Sequence, residues 1–237
     1  MPGKYASSRK RIGRKRKRGF KFGTKVIPRT SFPNQSFSGY VNGFNPFPAK
    51  HVAELKYSRI INLNAAATTG ISYHIFRSNS IFDPDYTQPL STQPYGHDQY
   101  EAIYRKYKVL KSVITMQPMS TNGSNQLEGS VFGCMNATDA FPLVDKDECF
   151  TTKGSVMLPV GSTQGGNAGD GKVMRFYNNK ALTVDGQGTR TNFGTNPGDP
   201  HYFKCWMYSQ ELGTQMSYFV TVTYIVQMWD LKNMTPS

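Results

Sequence analysis

At 237 residues the chain is long enough for one sizeable domain, and its 22 Gly and 14 Pro argue against a helical bundle. Only 18% of the residues are charged, yet the formal net charge is +13, and no stretch approaches the roughly 18 apolar residues of a membrane-spanning helix. Thr, Val, Tyr, Phe and Ser are common while Ala, Leu and Glu are scarce, so a pleated, half-buried fold is expected.

The charge is concentrated at one end. Thirteen of the 28 Lys and Arg lie within residues 1–53, which contain no acid; the first acidic side chain is Glu54. The fifteen that follow balance all 15 Asp and Glu, so the rest of the chain is electrically neutral. Such asymmetry points to a polyanion-binding or membrane-binding tail on a separate folded module.

Residues 1–30 read as a disordered basic arm. In the run Arg9, Lys10, Arg11, Ile12, Gly13, Arg14, Lys15, Arg16, Lys17, Arg18, eight of ten side chains are cationic, and Lys4, Lys21, Lys25 and Arg29 extend it. Mutual repulsion and a lack of apolar surface oppose a packed structure there. The same charges bind a nucleic-acid backbone by releasing its condensed counterions, which requires no fixed geometry. Arg adds two-pronged phosphate contacts that Lys lacks. Phe20 and Phe22 are placed to stack on unpaired bases, at roughly 1–3 kcal/mol per base. The eight cations from Arg9 to Arg18 also have the composition of a nuclear localisation signal. No apolar face of Leu or Trp accompanies them, which disfavours a membrane-surface helix. Residues 31–50 hold Phe32, Pro33, Phe37, Phe44, Pro46, Phe47 and Pro48 and are expected to form an extended linker, with the folded domain spanning 51–237.

Within that domain, 54–63 alternates Leu55, Tyr57, Arg59, Ile61 and Leu63 on one face, the period of a strand. Residues 70–77 follow with Ile71, Tyr73 and Ile75, the pattern being broken by Phe76. Asp83-Pro84-Asp85 and Gln88-Pro89 mark a loop. Tyr100, Ile103, Tyr104 and Tyr107 recur at helical spacing, so a short helix is expected over 98–105 before a strand at 107–116. A turn at 121–125 leads to a strand at 129–137, and 138–171 reads mostly as loop, with 150–160 extended and a Gly-rich surface tract at 165–171. Short strands are expected at 172–178 and 181–185, then a loop at 186–200 and a strand at 201–209 centred on Trp206. The clearest signal is 216–230, where Met216, Tyr218, Val220, Val222, Tyr224, Val226 and Met228 face one way against Ser217, Thr221, Thr223 and Gln227. Eight or nine strands without a repeat period describe an all-β sandwich.

No catalytic constellation is present. His51, His74, His97 and His201 have no metal-ligand spacing, and no HExxH, CxxC, P-loop or GxSxG occurs, so no metal, no cofactor and no enzyme activity are expected. Asp83 with Asp85, and Asp145 with Asp147 and Glu148, read as turn-forming acids of surface loops in preference to calcium ligands. Tyr100, Tyr104 and Tyr107 read as core or interface packing. Cys134, Cys149 and Cys205 are odd in number and are expected as partly buried free thiols of a reducing compartment. The basic N-terminus lacks the apolar segment of a secretory signal.

The layout of Arg/Lys-rich arm, aromatic and Pro linker and neutral stranded body resembles the capsid proteins of small circular single-stranded DNA viruses, in particular the circovirus-like, Rep-encoding group. The local resemblance lies in Phe82-Asp83-Pro84-Asp85-Tyr86, in Gly96-His97-Asp98-Gln99-Tyr100, in the stretch from Tyr104 to Ser112, and in the closing Met234-Thr235-Pro236-Ser237. It implies a viral jelly roll of two four-stranded antiparallel sheets, self-assembled into an icosahedral shell of sixty copies (T=1) with the arms inward. Sixty copies at +13 each bring about 780 positive charges to the genome. The implied partners are other copies of the chain, single-stranded nucleic acid (DNA by this resemblance), the host nuclear import machinery and a host cell-surface receptor, without membrane insertion. The implied locations are the virion and the host nucleus. A coat of a small single-stranded RNA virus or satellite shares this plan, and a non-viral basic-tailed nucleic-acid-binding module is the other alternative.

Overall fold

The computed structural model describes residues 47–88, 92–119, 130–160, 173–178, 188–211 and 213–233. All of these belong to one compact unit, Asn45–Ser237, which is distinct from Met1–Phe44. The expected strand at 181–185 and the Gly-rich tract at 165–171 fall outside the described residues.

Among the described residues, nine strands and two short helices follow in chain order: β1 (Lys50–Asn64), β2 (Ile71–Arg77), α1 (His97–Ile103), β3 (Tyr104–Pro118), β4 (Val131–Ala137), α2 (Lys146–Thr151), β5 (Val156–Pro159), β6 (Val173–Asn178), β7 (Arg190–Asn192), β8 (Tyr202–Tyr208) and β9 (Gln215–Leu231). Sheet 1 has the order β1-β9-β3-β6, with β7 also on β3; sheet 2 has the order β2-β8-β4-β5. Every ladder is antiparallel. With the three-residue β7 set aside, the pairs are first with last, second with seventh, third with sixth and fourth with fifth. That is a long hairpin wound into two sheets, the jelly roll. The expected two four-stranded sheets are therefore one of four and one of five strands. β6 and β7 lie end to end along β3, at Lys111–Met116 and Lys106–Lys108 respectively.

The core between the sheets follows the period-2 pattern. Met216, Tyr218, Val220, Val222, Tyr224, Val226 and Met228 of β9 all point inward and are buried, with Leu55, Tyr57, Ile61 and Leu63 of β1 beside them. From sheet 2 come Phe76, Phe132, Cys134, Phe203, Cys205 and Met207. β2 corrects the expected facing: Phe76 enters this core, while Ile71 and Tyr73 lie in a second cluster with Met135, Leu143, Cys149 and Trp206. That cluster exists because α2 and the segment before it cover the outer face of sheet 2, which explains why β8 is buried on both faces. Trp206 packs closely against Gly133, where an added Cβ would come within 2.5 Å of the indole.

α2 occupies a stretch expected to be loop. Asp145 caps it, accepting from the Asp147 N–H at 3.0 Å, and Asp147 and Glu148 stand in its first turn. α1 ends directly in β3, so the strand begins at Tyr104 instead of residue 107. β1 likewise starts at Lys50, ahead of the expected 54.

Candidate assembly surface

The twelve basic residues expected to bind nucleic acid, Lys4 through Arg29, lie outside the described residues. What the structure places is the body that carries them, and its most organised surface feature is the connection from β2 to α1.

Here the Phe82-Asp83-Pro84-Asp85-Tyr86 segment runs back along the end of β2, with a bridge between Phe76 and Asp85. The Arg77 N–H donates to the Pro84 carbonyl at 2.7 Å. The Arg77 guanidinium donates to the Asp83 carbonyl at 2.6 Å and to its carboxylate at 2.7 Å, and sits 5.0 Å from the centre of the Tyr86 ring. Asp85, which the sequence places in a solvated turn, is instead 1% exposed, between Arg59 of β1 and His74 of β2. His74 Nε2 lies 2.8 and 2.9 Å from its two oxygens, Arg59 pairs with one of them, and the Gln88 N–H donates to the other at 2.9 Å. Burial alone would raise this carboxyl's pKa. The bonds from His74 and Gln88 and the charges of His74 and Arg59 outweigh burial and hold it below the ordinary value. One carboxylate therefore ties the edge strand of each sheet to the long loop between them. Sequence reasoning missed it because its partners stand 26 and 11 residues away.

The same loop exposes Tyr95 almost fully, at 93%, and the loop from β4 to α2 exposes Phe141 and Val144. Large apolar side chains held out on anchored loops suit contacts between protein surfaces more than contact with water. Tyr104 and Tyr107 are core residues; Tyr100 is half-buried against His51, with ring centres 5.5 Å apart.

A cavity of about 520 Å³ opens between the ends of β4, β6 and β8. Ser78 Oγ and His201 Nε2, both on its lining, are buried without a hydrogen-bond partner among the described residues, and the buried Lys204 donates to Asp139 at 2.8 Å in its wall. Burial pushes the His201 pKa down, against the opposing charge of Asp199. His97 Nδ1 lies 3.0 Å from the Asp98 carboxylate and 3.9 Å from that of Glu101, a local cluster at the start of α1. The four histidines sit in four separate segments: β1, β2, α1 and the residue before β8.

No protein-family model matches the chain, and no curated protein matches it. Among solved structures, the chain is similar to a decameric BFDV capsid protein at 14% identity, covering 76% of this chain and 98% of that one, with a TM-score of 0.44. It is similar to the empty head of Turnip Yellow Mosaic Virus at 12% identity, covering 81% and 88%, with a TM-score of 0.44. It is also similar to a mud crab tombus-like virus at 8% identity, covering 82% and 96%, with a TM-score of 0.46. These are likenesses of fold at low identity, and the jelly-roll strand order stands on the hydrogen-bond ladders of this chain without them.

Proposed function

We propose that the chain is a viral coat protein: a jelly-roll wall unit that self-assembles into a closed shell and holds a single-stranded genome through the cations of residues 1–29. The observation that carries this reading is the pairing of jelly-roll strand order with a charge excess confined to one end of the chain. A neutral body lets many copies approach one another, since strong like charge would oppose association. The anchored loops with Tyr95, Phe141 and Val144 supply apolar contact between copies. The role is structural and not enzymatic. The finer reading is a sixty-copy shell around circular single-stranded DNA, with the run 9–18 serving nuclear import and the outer loops meeting a cell-surface receptor; it rests on the motif resemblance around Asp83–Tyr100.

Sedimentation of the purified full-length chain with detection at 260 and 280 nm tests the reading. The expected result is a fast species near sixty subunits in mass that carries nucleic-acid absorbance, which is lost when residues 1–29 are deleted. DNase or RNase sensitivity of the released polymer then distinguishes a DNA from an RNA genome. A chain that stays monomeric or dimeric with nucleic acid at low salt would sink the proposal.

A further inference from the structure

The net neutrality of the body conceals a segregation. Among the described residues, the only acids on strands are Glu54 and Asp230; every other one lies in a helix or a loop. The cations are distributed differently, and the ladders show where they meet.

Residues opposite one another on neighbouring strands point to the same face. Trp229 of β9 is opposite Lys50 of β1 on one side and Lys106 of β3 on the other. One step along the same face, Gln227 is opposite Lys108, which is in turn opposite Arg190 of β7. The next step pairs Ile225 with Lys111. Simple alternation would turn Lys111 inward, because it shares the parity of the buried Tyr107 and Val109. The register shift between Val109 and Lys111 returns it to the outward face. Lys50, Lys106, Lys108, Lys111 and Arg190 therefore surround Trp229 on the outside of sheet 1, over about 13 Å along the strands and about 14 Å across them.

Few acids answer them. Both strand acids stand on this sheet: Glu54 is exposed opposite Ile225, in the row of Lys111, without an ion pair, and Asp230 pairs with Lys106 at 3.2 Å, while Lys50, Lys108, Lys111 and Arg190 have no ion pair among the described residues. Lys108 stands directly across from Arg190, and partial burial together with that neighbouring charge pushes its pKa down. Like charges opposite one another cost stability, so the arrangement is one that a bound anion would relieve. Beside it, Lys106, Arg190, Thr191, Asn192 and Trp229 line a recess of about 490 Å³, within the roughly 300–1,000 Å³ of ligand-sized recesses. A row further, the face turns apolar at Phe176 and Met174, which bounds the patch.

We propose that this face is a second, built-in contact site for single-stranded nucleic acid, with phosphates on Lys50, Lys108, Lys111 and Arg190 and an unpaired base stacked on Trp229. Cations with an aromatic ring among them are the pattern that holds a single strand without reading its sequence. The inference rests on the packaging reading and adds a place where the genome meets the wall itself.

Trp229 makes the test direct, because the only other tryptophan, Trp206, is fully buried. The full-length chain is titrated with a 30-nucleotide oligo(dT), following anisotropy of a label on the oligonucleotide and tryptophan emission of the protein. Emission is expected to change on binding, and the change should vanish in Trp229→Phe. In Lys108→Gln/Lys111→Gln/Arg190→Gln the slope of log K against log salt is expected to flatten by about 2, at roughly 0.7 per phosphate contact. Thermal melting of that variant should be unchanged or slightly raised, which separates lost binding from lost folding. Inorganic polyphosphate, which has charge but no bases, should bind with the emission unchanged; an equal emission change would overturn the stacking role. Oligo(dT) binding with neither an emission change nor a flattened slope would overturn the inference and leave the arm as the binder. No binding at low salt would remove the packaging reading and this site together.

Discussion

Asp85 shows how a single side chain can set the shape of a surface. It is ionised, almost fully buried and shared by Arg59, His74 and the Gln88 N–H, so its loss leaves partners from two sheets uncompensated. Removing one partner of a buried pair typically costs about 3–5 kcal/mol. Asp85→Asn should lower the urea midpoint accordingly and increase amide exchange in the loop ahead of α1. The sign of its pH dependence follows from the lowered pKa. The contribution is complete above the ordinary Asp value of about 3.9 and is lost as pH falls through the lower folded value. The gap between wild type and Asp85→Asn should therefore be constant above about pH 5 and close in more acidic solution; a gap unchanged down to pH 2 would mean the carboxylate is not part of the anchor. This residue was not legible in the sequence, where Asp-Pro-Asp signals a turn and nothing signals Arg59 and His74.

Among the elements, legibility followed burial geometry. β9 was plain because one face of it meets the core and the other largely does not, so its alternation survives with one interruption, the buried Thr221. β8 could be placed but not oriented, because α2 covers its outer face and erases the alternation. α2 itself carried a readable signal in Asp145 followed by Glu148, a cap residue with an acid three positions on. Its six residues bury only Cys149, so no periodicity drew attention to that cap. β7, at three residues, is shorter than any pattern that could reveal it. Asp145→Ala should cost about 1 kcal/mol. Because α2 shields Trp206, the variant should also make Trp206 emission more accessible to acrylamide, which a purely electrostatic effect at the surface would not do.

For the molecule as a whole, the jelly roll divides labour that the composition merges. Charge-balanced as a sum, the body keeps all of its described acids but Glu54 and Asp230 on loops and helices, and gathers Lys50, Lys108, Lys111 and Arg190 on the outward face of one sheet. The neutral sum was visible in the sequence. The segregation was not, because it depends on cross-strand register and on one bulge in β3. The arm remains the larger electrostatic resource. If all twelve of its cations engage phosphates, log K for oligo(dT) should fall against log salt with a slope of about −8. Fluorescence anisotropy between 50 and 400 mM NaCl measures this, and a slope shallower than about −3 would mean that most of the arm makes no phosphate contact.

The three cysteines, expected to be partly buried, are in fact fully enclosed, and Cys134 and Cys205 face each other across neighbouring strands with their sulfurs 3.9 Å apart. Burial, with the charges of Glu148 and Asp145, pushes the Cys149 thiol up to about 12, and burial, with Cys134 beside it, raises Cys205 as well. Thiolates are the reactive form. A thiol-reactive dye therefore meets a silent surface while the sandwich is closed and finds targets only when it opens. Cys149 reports the lifting of α2, and the Cys134–Cys205 pair reports the parting of the two sheets. The order in which they take up label is a clock for how a wall unit comes apart, built into the chain without any engineered probe.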